Sequence, residues 1–393
     1  MAWVLPGSFS TSYYARQVHD WLRSFFRRTV AISVSERLFL TEGTEETTVI
    51  VLADGYSKGG ETGTLSWVQC DSAEQLAGVI GRWEVAADDA TRDLGNKRLL
   101  DQRFYDAFQR FVLRDDAVIL GDVLEVKIGL VTGDTPFFIR RPRDWVALGV
   151  SAINLRRILP KSKWVRGIRV STKDILQYQL DELPCLMFHP TRTTSAAVHG
   201  YLAGYSKDDL SRNATFKKRE RWYLPDDDKI PDLFGVFMTH HGPRVMANSA
   251  QINATNSYYR LYYKPGARAT DGLLCAISMQ STVTQFAAEV NGRPRGSGAL
   301  KLEPSEFRAL PVFRRKDASY WDARKAFDRI DQLLRKGDEE AATAEADRFL
   351  FEGLGPAEVA SLSTLREGIV FARRRRLLRR GRNESHLVAD LDG

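Results

Sequence analysis

The sequence predicts a partial α/β unit, followed by a mixed α+β domain rich in short strands and then by a helical tail. An apolar strand, an amphipathic helix and two more apolar strands occupy residues 3–53. From about residue 119 the pattern changes to short apolar runs separated by Gly- and Pro-rich turns, and from about residue 319 to long stretches rich in Ala, Glu and Leu. Alternating strands and helices are typical of α/β folds, whereas grouped short strands are typical of β-rich domains.

The α/β unit begins with an apolar run at residues 3–6, which predicts a buried strand because a Pro-Gly pair ends it. Apolar residues at helical spacing predict an amphipathic helix over 12–26. β-Branched and apolar runs predict further strands over 29–34 and 47–53. A strand buried on both faces needs neighbouring strands, and the sequence supplies few. We therefore expect residues 1–62 to form the later part of a larger α/β domain.

A linker and the β-rich domain follow. Residues 63–118 predict the linker, with a strand at 65–70 and helices at 72–82 and 90–114. Residues 119–318 predict the β-rich domain. Its clearest apolar runs predict strands at 123–130, 258–263 and 273–278.

Residues 319–393 predict a helical tail, with helices within 320–350 and 356–380. The tail contains an arginine cluster in which seven of the ten residues 373–382 are Arg. Three roles stay open for this cluster: it binds phosphates, it contacts a partner subunit, or it is a mobile tail.

The composition excludes several classes of protein. No run of about 18 apolar residues exists that could span a membrane, and the first residues lack the basic and apolar regions of a secretory signal. Cys70, Cys185 and Cys275 are far apart, which excludes a disulfide scaffold or a CxxC zinc site and favours a reducing, cytoplasmic location. Lys and Arg number 57 against 50 Asp and Glu, a net charge of +7. An excess of this size is compatible with a polyanionic partner.

Several stretches carry a resemblance to one enzyme family. In the α/β unit they are Leu5-Pro6-Gly7-Ser8-Phe9, Leu22-Arg23-Ser24-Phe25, Arg37-Leu38-Phe39 and the Thr-rich residues 47–52. In the β-rich domain they are residues 121–138, 242–262 and 296–312. Together they cover roughly 1–60 and 115–315, and they resemble the N6-adenine DNA methyltransferases of bacterial restriction–modification systems. The resemblance implies the later strands of a Rossmann-like methyltransferase sheet, followed by a target-recognition domain.

The resemblance does not extend to the reactive motifs of that family. The family uses a Gly-rich loop for S-adenosylmethionine and an Asn/Asp-Pro-Pro-Tyr/Phe loop that binds the adenine amino group. No Pro-Pro pair exists in this sequence, and its Gly-Gly and Gly-Ser-Gly stretches do not lie between a strand and a helix. We therefore expect no catalytic residue in this chain and no S-adenosylmethionine bound by it alone. The complete enzyme would use S-adenosylmethionine, and a partner polypeptide would carry the N-terminal methyltransferase half.

The resemblance places Phe39 in an adenine pocket. An enzyme that modifies a base of duplex DNA must take that base out of the stack. In the resembled family an aromatic residue just before the Thr-rich strand covers one face of the extruded adenine, and Phe39 holds that position. The alternative is a core phenylalanine that packs on Leu38.

Four stretches offer side chains for contacts with double-stranded DNA. The segment 128–138, with its Thr-Gly-Asp turn, and the stretch 239–260 carry groups that can bond to DNA. The alternatives are a tight structural turn for the first and a loop of buried asparagines for the second. The basic, aromatic segment 211–223 fits phosphate neutralisation or a solvated loop, and the polar loop 191–195 could reach base edges. The candidates are Thr132, Asp134, Arg192, Arg212, Lys217, Lys218, Arg219, Arg221, His240, His241, Arg244, Asn248, Asn253 and Asn256.

Metal chemistry has weaker support. Adjacent histidines on a strand point apart and no third ligand is close in sequence, so we expect no metal at the His-His pair. Asp116, Glu125 and Lys127 have the Asp-x8-Glu-x-Lys spacing of magnesium-dependent nucleases, a pattern that also arises by chance.

The resemblance thus implies the recognition part of an adenine-N6 DNA methyltransferase. A stand-alone DNA-binding specificity subunit is the second interpretation, and a nuclease is the third.

Overall fold

The computed structural model describes residues 1–6, 9, 13–34, 38, 48–57, 63–70, 72–85, 102–190, 195–295 and 298–378. Helices and strands are mixed along these ranges, and the strands form several small sheets. None of the helices in these ranges is both long enough and apolar enough to cross a bilayer. The fold is therefore of the mixed α/β kind.

The first sheet contains four strands. Its elements are β1 (Ala2–Pro6), α1 (Tyr13–Phe25), β2 (Phe26–Val34), β3 (Thr48–Tyr56), β4 (Thr64–Cys70) and α2 (Ala73–Val85). The strand order is β1-β3-β2-β4, with β3 antiparallel to both neighbours and β4 parallel to β2. Strands β1 and β2 therefore run in the same direction and are connected through α1, as the strand–helix–strand pattern predicts.

The position of β1 differs from the prediction of a buried strand. Within the described part of the chain β1 lies at the end of the strand order, and Val4 is 59% exposed. The run is apolar because Trp3 and Leu5, on the opposite face, pack into the cluster formed by Leu22 and Phe26. An edge strand buries one face only, and a run of four residues is too short to show the alternation.

The middle region begins at α3 and consists of short elements. They are α3 (Gln102–Val112), β5 (Ala117–Ile119), α4 (Leu120–Val123), β6 (Leu124–Ile128), α5 (Thr135–Phe138), β7 (Ile139–Arg140), α6 (Pro142–Ala147), β8 (Leu155–Leu159), β9 (Arg169–Val170), α7 (Thr172–Leu180), β10 (Leu186–Phe188), α8 (Ala196–Ala203) and α9 (Lys207–Arg212). Next come β11 (Leu233–Val236), β12 (Met238–Thr239), β13 (Arg244–Asn248), β14 (Asn253–Ala254), β15 (Tyr259–Tyr263), α10 (Ala269–Ser278), α11 (Thr282–Asn291), β16 (Arg293–Pro294), β17 (Leu300–Lys301), α12 (Pro304–Arg308) and β18 (Pro311–Phe313).

Two sheets organise this region. One has the order β6-β15-β11-β13-β9, and the other has the order β14-β8-β10-β7. An isolated bridge between Leu130 and Thr255 connects the end of β6 to the segment that follows β14. The region also contains a three-stranded sheet with the order β12-β17-β16 and a two-stranded sheet formed by β18 and β5.

The predicted strand at 273–278 is wrong, because these residues belong to helix α10. Every residue from Asp271 to Ser278 is buried. A helix enclosed on all sides has no polar face, so its apolar run lacks the helical period that would identify it. The helix start does carry a signal, since the carboxylate of Asp271 accepts a hydrogen bond from the main-chain N–H of Arg268 at 2.8 Å.

Three long helices follow the middle region. They are α13 (Tyr320–Arg335), α14 (Glu339–Leu350) and α15 (Pro356–Leu378). Phe327, Phe349 and Leu365 from these helices share one apolar cluster with Phe286 of α11 and Phe111 of α3. The predicted tail helices exist, and they pack directly on the core of the middle region.

Candidate nucleic-acid interface

The turn at Thr132–Asp134 lies against the start of the basic segment 211–223. Gly133 has a φ of 88°, and a Cβ atom there would lie 2.5 Å from the Cε1 atom of Phe216. The side-chain amide of Asn213 donates a hydrogen bond to the carbonyl of Gly133 at 3.1 Å. Only glycine allows both this backbone conformation and this close approach. Two stretches that are about 80 residues apart in sequence therefore form one surface element.

The side chains of Thr132 and Asp134 serve this turn. Thr132 is buried, and its Oγ1 atom lies 3.2 Å from that of Thr135. The Asp134 carboxylate caps α5 by accepting from the N–H of Phe137 at 2.9 Å, and it also accepts from the Tyr205 hydroxyl at 3.0 Å. Burial and this bond raise the pKa of Tyr205 to about 12, so the phenol remains a donor. These contacts agree with the structural alternative for the turn.

Arg219 stabilises the same turn by hydrogen bonds to its main chain. Its guanidinium donates to the carbonyl of Thr132 at 2.9 Å, to that of Trp222 at 3.2 Å and to that of Val131. Burial lowers the pKa of this guanidinium. The predicted phosphate contact of Arg219 does not fit this position, because the donors point at main-chain carbonyls.

An aromatic platform lies beneath the basic segment. It consists of Phe137, Phe138, Tyr205, Phe216 and Trp222. The ring of Phe216 lies 5.3 Å from that of Trp222 and 5.7 Å from that of Tyr205, measured between centroids. Aromatic rings at these separations have few alternative packings, so the platform holds the backbone of the basic segment in place.

Four exposed cations project from the basic segment. Arg212 ends α9, Lys217 and Lys218 lie on a 3-10 turn at Phe216–Lys218, and Arg221 follows it. All four side chains are exposed, and none of them forms an ion pair with the residues that the structure describes. Glu220 is the only acidic residue in 211–223. We call Arg212, Lys217, Lys218 and Arg221 the cation cluster.

Asn256 is exposed beside the same turn. Its main-chain N–H donates to the carbonyl of Leu130 at 2.9 Å, directly before the turn begins. A Cβ atom on Gly129 would lie 2.0 Å from the carbonyl oxygen of Thr255, so this contact between two backbones requires glycine. The structure therefore brings Asn256, one of the predicted base contacts, close to the turn on which the cation cluster is built.

The loop after β12 presents the two predicted histidines. His240 and His241 are exposed, and the main-chain N–H groups of His241 and Gly242 donate to the Thr239 hydroxyl at 3.1 and 3.2 Å. The Nδ1 atom of His241 lies 3.4 Å from a carboxylate oxygen of Glu339. Arg244 follows on β13, where burial lowers the pKa of its guanidinium. The loop thus offers two imidazoles to solvent, while Arg244 turns inward.

Asn248 does not fit the prediction that it contacts bases. Its side chain is buried, and its amide N–H groups donate to the carbonyls of Pro231 at 2.7 Å and Ile252 at 2.8 Å. Its amide oxygen accepts from the N–H of Ile252 at 3.2 Å. Both amide donors are therefore used inside the fold, as in the alternative of a buried asparagine loop.

Asn253 and Arg260 bind a group that we call the aspartate hub, Asp226, Asp227 and Asp228. The amide of Asn253 donates to Asp226 at 2.9 Å, and Arg156 of β8 pairs with Asp226 at 3.0 Å and also with Asp228. The guanidinium of Arg260 pairs with both oxygens of Asp227, at 2.7 and 3.0 Å. Burial disfavours the ionised carboxylate of Asp227, but the bond from Arg260, bonds from main-chain N–H groups and the charge of Arg260 together outweigh burial and keep the pKa of Asp227 below its usual value. Asn253 is therefore an internal contact, and its predicted contact with bases does not fit this position.

A family model described as "Type II methyltransferase M.Eco57I, C-terminal domain" matches residues 96–351, about two thirds of the sequence. This chain belongs to that family. The match contains the turn at Thr132–Asp134, the basic segment 211–223 and the aspartate hub. It also contains the loop 239–243, which we call the histidine loop.

The solved structures that are similar to this chain include one described as the "crystal structure of the type IIG restriction endonuclease BpuSI". The two chains are 12% identical, and the TM-score is 0.45. The match covers 97% of the present chain and 48% of the other, so this chain spans about half the length of that protein.

The three residues of the predicted nuclease pattern take part in ion pairs. Asp116 is held by Arg114 at 3.0 Å, and Glu125 pairs with Lys127 at 3.1 Å. Among the residues that the structure describes, no group of three or more His, Cys, Asp or Glu side chains is arranged to hold a metal ion. Asp116 therefore belongs to one ion pair, and Glu125 and Lys127 form another.

Two predicted site residues, Phe39 and Arg192, lie outside the described residues. Among the described residues, two clusters of charged side chains were also not predicted from the sequence. One is the aspartate hub, which three adjacent acidic residues after a Pro could have indicated as a turn with partners elsewhere. The other is the buried pair of Arg376 and Glu289, because two charged residues that lie 87 positions apart give no local signal.

Proposed function

We propose that this chain binds double-stranded DNA and supplies sequence recognition to an adenine-N6 methyltransferase of a restriction–modification system. The cation cluster is the observation that carries this proposal. Its four positive side chains are exposed, lie on a braced backbone and have no carboxylate partner within the described part of the chain. Side chains of this kind neutralise phosphates and release counterions, which favours binding to any duplex.

Sequence reading requires contacts with base edges rather than with phosphates. The exposed candidates are Asn256, beside the turn, and His240 and His241 on their loop. An asparagine amide can pair with the N6 and N7 atoms of adenine in the major groove. We propose that these three residues contact bases and that Thr132, Asp134 and Arg219 hold the turn beside Asn256. We propose that Asn248 and Asn253 stabilise the fold and do not contact DNA.

We propose that the first sheet is the later part of a Rossmann-like catalytic domain. Strands β1 and β2 run in the same direction and are joined through α1, which is the crossover expected of such a domain, although β3 lies between them. Phe39 would cover one face of the extruded adenine. We propose that the complete enzyme uses S-adenosylmethionine as methyl donor, and we assign no residue of this chain to it. The Asn/Asp-Pro-Pro-Tyr/Phe loop and the Gly-rich loop would belong to a partner polypeptide.

Two measurements test this proposal. Fluorescence anisotropy of the full chain with short random-sequence duplexes should show binding that weakens with salt, and sequencing of the bound duplexes should recover a common site. Adding an upstream methyltransferase polypeptide should then produce N6-methyladenine within that site. A common site without any methylation after that addition would support a stand-alone specificity subunit. A chain that does not bind duplex DNA would refute both interpretations.

A further inference from the structure

The C-terminal helix α15 reaches the loop that carries the exposed histidines. Arg376 of this helix pairs with Glu289 of α11 through two hydrogen bonds, from Nε at 3.0 Å and from Nη2 at 2.8 Å. The side chains of Arg376 and Glu289 are each only 2% exposed. A buried guanidinium with a bidentate carboxylate partner is held in one orientation, because the planar fork of the two groups matches.

The same guanidinium also holds two segments of main chain. Its Nη1 atom donates to the carbonyl of Gly298 at 2.5 Å, and its Nη2 atom donates to the carbonyl of His240 at 2.5 Å. Arg376 thus joins three elements that are distant in sequence: helix α11, the histidine loop and the turn before β17. Since its donors are directed at these oxygens, Arg376 serves the interior of the protein rather than a phosphate.

A second contact supports the other end of the histidine loop. The amide N–H of Gln285 donates to the carbonyl of Pro243 at 3.3 Å, and its amide oxygen accepts from Arg373 at 2.8 Å. Gly242 has a φ of 144°, and a Cβ atom there would lie 1.7 Å from that amide oxygen. The loop backbone is therefore pressed onto α11, one turn away from Glu289.

We propose that Arg376 is a positioning residue for the loop 239–243, an inference that rests on the proposed DNA-binding function. Glu289 orients the guanidinium, and the guanidinium fixes the His240 carbonyl, so that both imidazoles project from one conformation of the loop. Preorganisation of this kind lowers the entropy cost of ordering the loop on DNA. The arginines of the cluster 373–382 therefore differ in role. Arg373 and Arg376 form hydrogen bonds within the fold, whereas Arg374 is exposed.

The first arm of the test needs no DNA. Hydrogen exchange of the His241 and Gly242 amides in the full chain should accelerate on the order of tenfold or more in Arg376→Lys and Glu289→Gln, because the loop then opens without global unfolding. Arg366→Met is the matched control. It removes bonds from the same helix to Asp347 at 3.1 Å and Thr282 at 3.3 Å without touching the loop. Unchanged loop exchange in both folded variants, or equal acceleration in the control, would overturn the proposal.

The second arm is a double-mutant cycle with a duplex recovered from the random pool. Arg376→Lys and the paired change His240→Ala with His241→Ala should each weaken binding. The combined variant should bind no more weakly than the histidine pair alone, because Arg376 acts through these two side chains. Fully additive losses would contradict positioning through this loop. If the wild-type chain binds no duplex, the proposed function fails, whereas the exchange arm still decides whether Arg376 positions the loop.

Discussion

The cation cluster and the two residues that bind the aspartate hub, Asn253 and Arg260, are of types that contact DNA, yet the fold uses them in opposite ways. Lys217 and Lys218 are exposed and have no carboxylate partner among the described residues. Arg260 is buried and pairs with both oxygens of Asp227. The difference lies in the neighbours, because a cation is taken into the interior only where the fold supplies acceptors for its N–H groups. The aspartates after Pro225 supply carboxylates for Arg260, and main-chain carbonyls supply acceptors for Arg219, whereas Lys217 and Lys218 have no such carboxylate among the described residues.

Asn248 and Asn256 test this comparison with the largest expected effect. Asn248→Ala should lower the free energy of unfolding by roughly 2–4 kcal/mol, because it leaves buried main-chain groups of Pro231 and Ile252 without partners. Asn256→Ala should change stability by less than about 0.5 kcal/mol, since the side chain is exposed. Urea unfolding measures both.

The same two variants should reverse their order in DNA binding. At a temperature where both are folded, Asn248→Ala should bind a duplex as the wild type does, and Asn256→Ala should bind a preferred site more weakly. A stable Asn248→Ala variant with impaired DNA binding would show that the buried amide is not an internal contact.

Gly133→Ala tests the contact between the turn at Thr132–Asp134 and the basic segment that carries the cation cluster. The change should cost about 2–3 kcal/mol, from an unfavourable φ and from the approach to Phe216. Gly266→Ala is the control, because Gly266 has a φ of 85° and no atom within 4 Å of the added Cβ, so it should cost only about 1 kcal/mol. Thermal unfolding compares the two variants. Equal costs would mean that the turn does not depend on contact with the basic segment.

The smallest expected effect is a pH dependence of stability that comes from His189, which lies near Arg156 and the aspartate hub. Its ring is buried, Nδ1 makes no hydrogen bond with the described residues, and burial lowers the pKa of the imidazole, with a further lowering by Arg156. Below an unfolded pKa of about 6.5 the unfolded chain therefore binds a proton that the folded chain does not, so stability falls as the pH falls. The loss is at most about 1.4 kcal/mol per pH unit. Urea unfolding at pH 7.5 and 5.5 should show a smaller loss in His189→Gln; identical losses would contradict the buried, neutral ring.

Most elements of the fold follow from local patterns. The strands at 29–34 and 47–53 follow from β-branched and apolar runs, and the tail helices follow from stretches rich in Ala, Glu and Leu. The structure contains all of them with small changes in their bounds. Helix α10 was mistaken for a strand because full burial removes the amphipathic signal. The exposure of Val4 could not be read from a run of four residues, because edge and central strands differ in their neighbours rather than in their own sequence.

The candidate site was predictable in its residue types but not in its arrangement. The segment 211–223 and the turn at 132–134 were each recognisable, whereas their association depends on contacts such as that between Asn213 and Gly133. Asn253 and Asn256 are identical in type and three positions apart, yet one is buried and the other is exposed. Only tertiary contacts separate such residues, since local sequence gives the same hydrogen-bonding groups to both.

The central claim is that the cation cluster contacts phosphates, and the salt dependence of duplex binding tests it most directly. For the triple variant Lys217→Ala, Lys218→Ala and Arg221→Ala, the slope of log affinity against log salt should fall in magnitude by about 2–3, because each phosphate contact contributes about 0.9. A triple variant of three exposed lysines on other elements, Lys161→Ala, Lys173→Ala and Lys336→Ala, has the same net charge and should keep the wild-type slope. Equal slopes for the wild type and both variants, or equal reductions in both variants, would contradict the account.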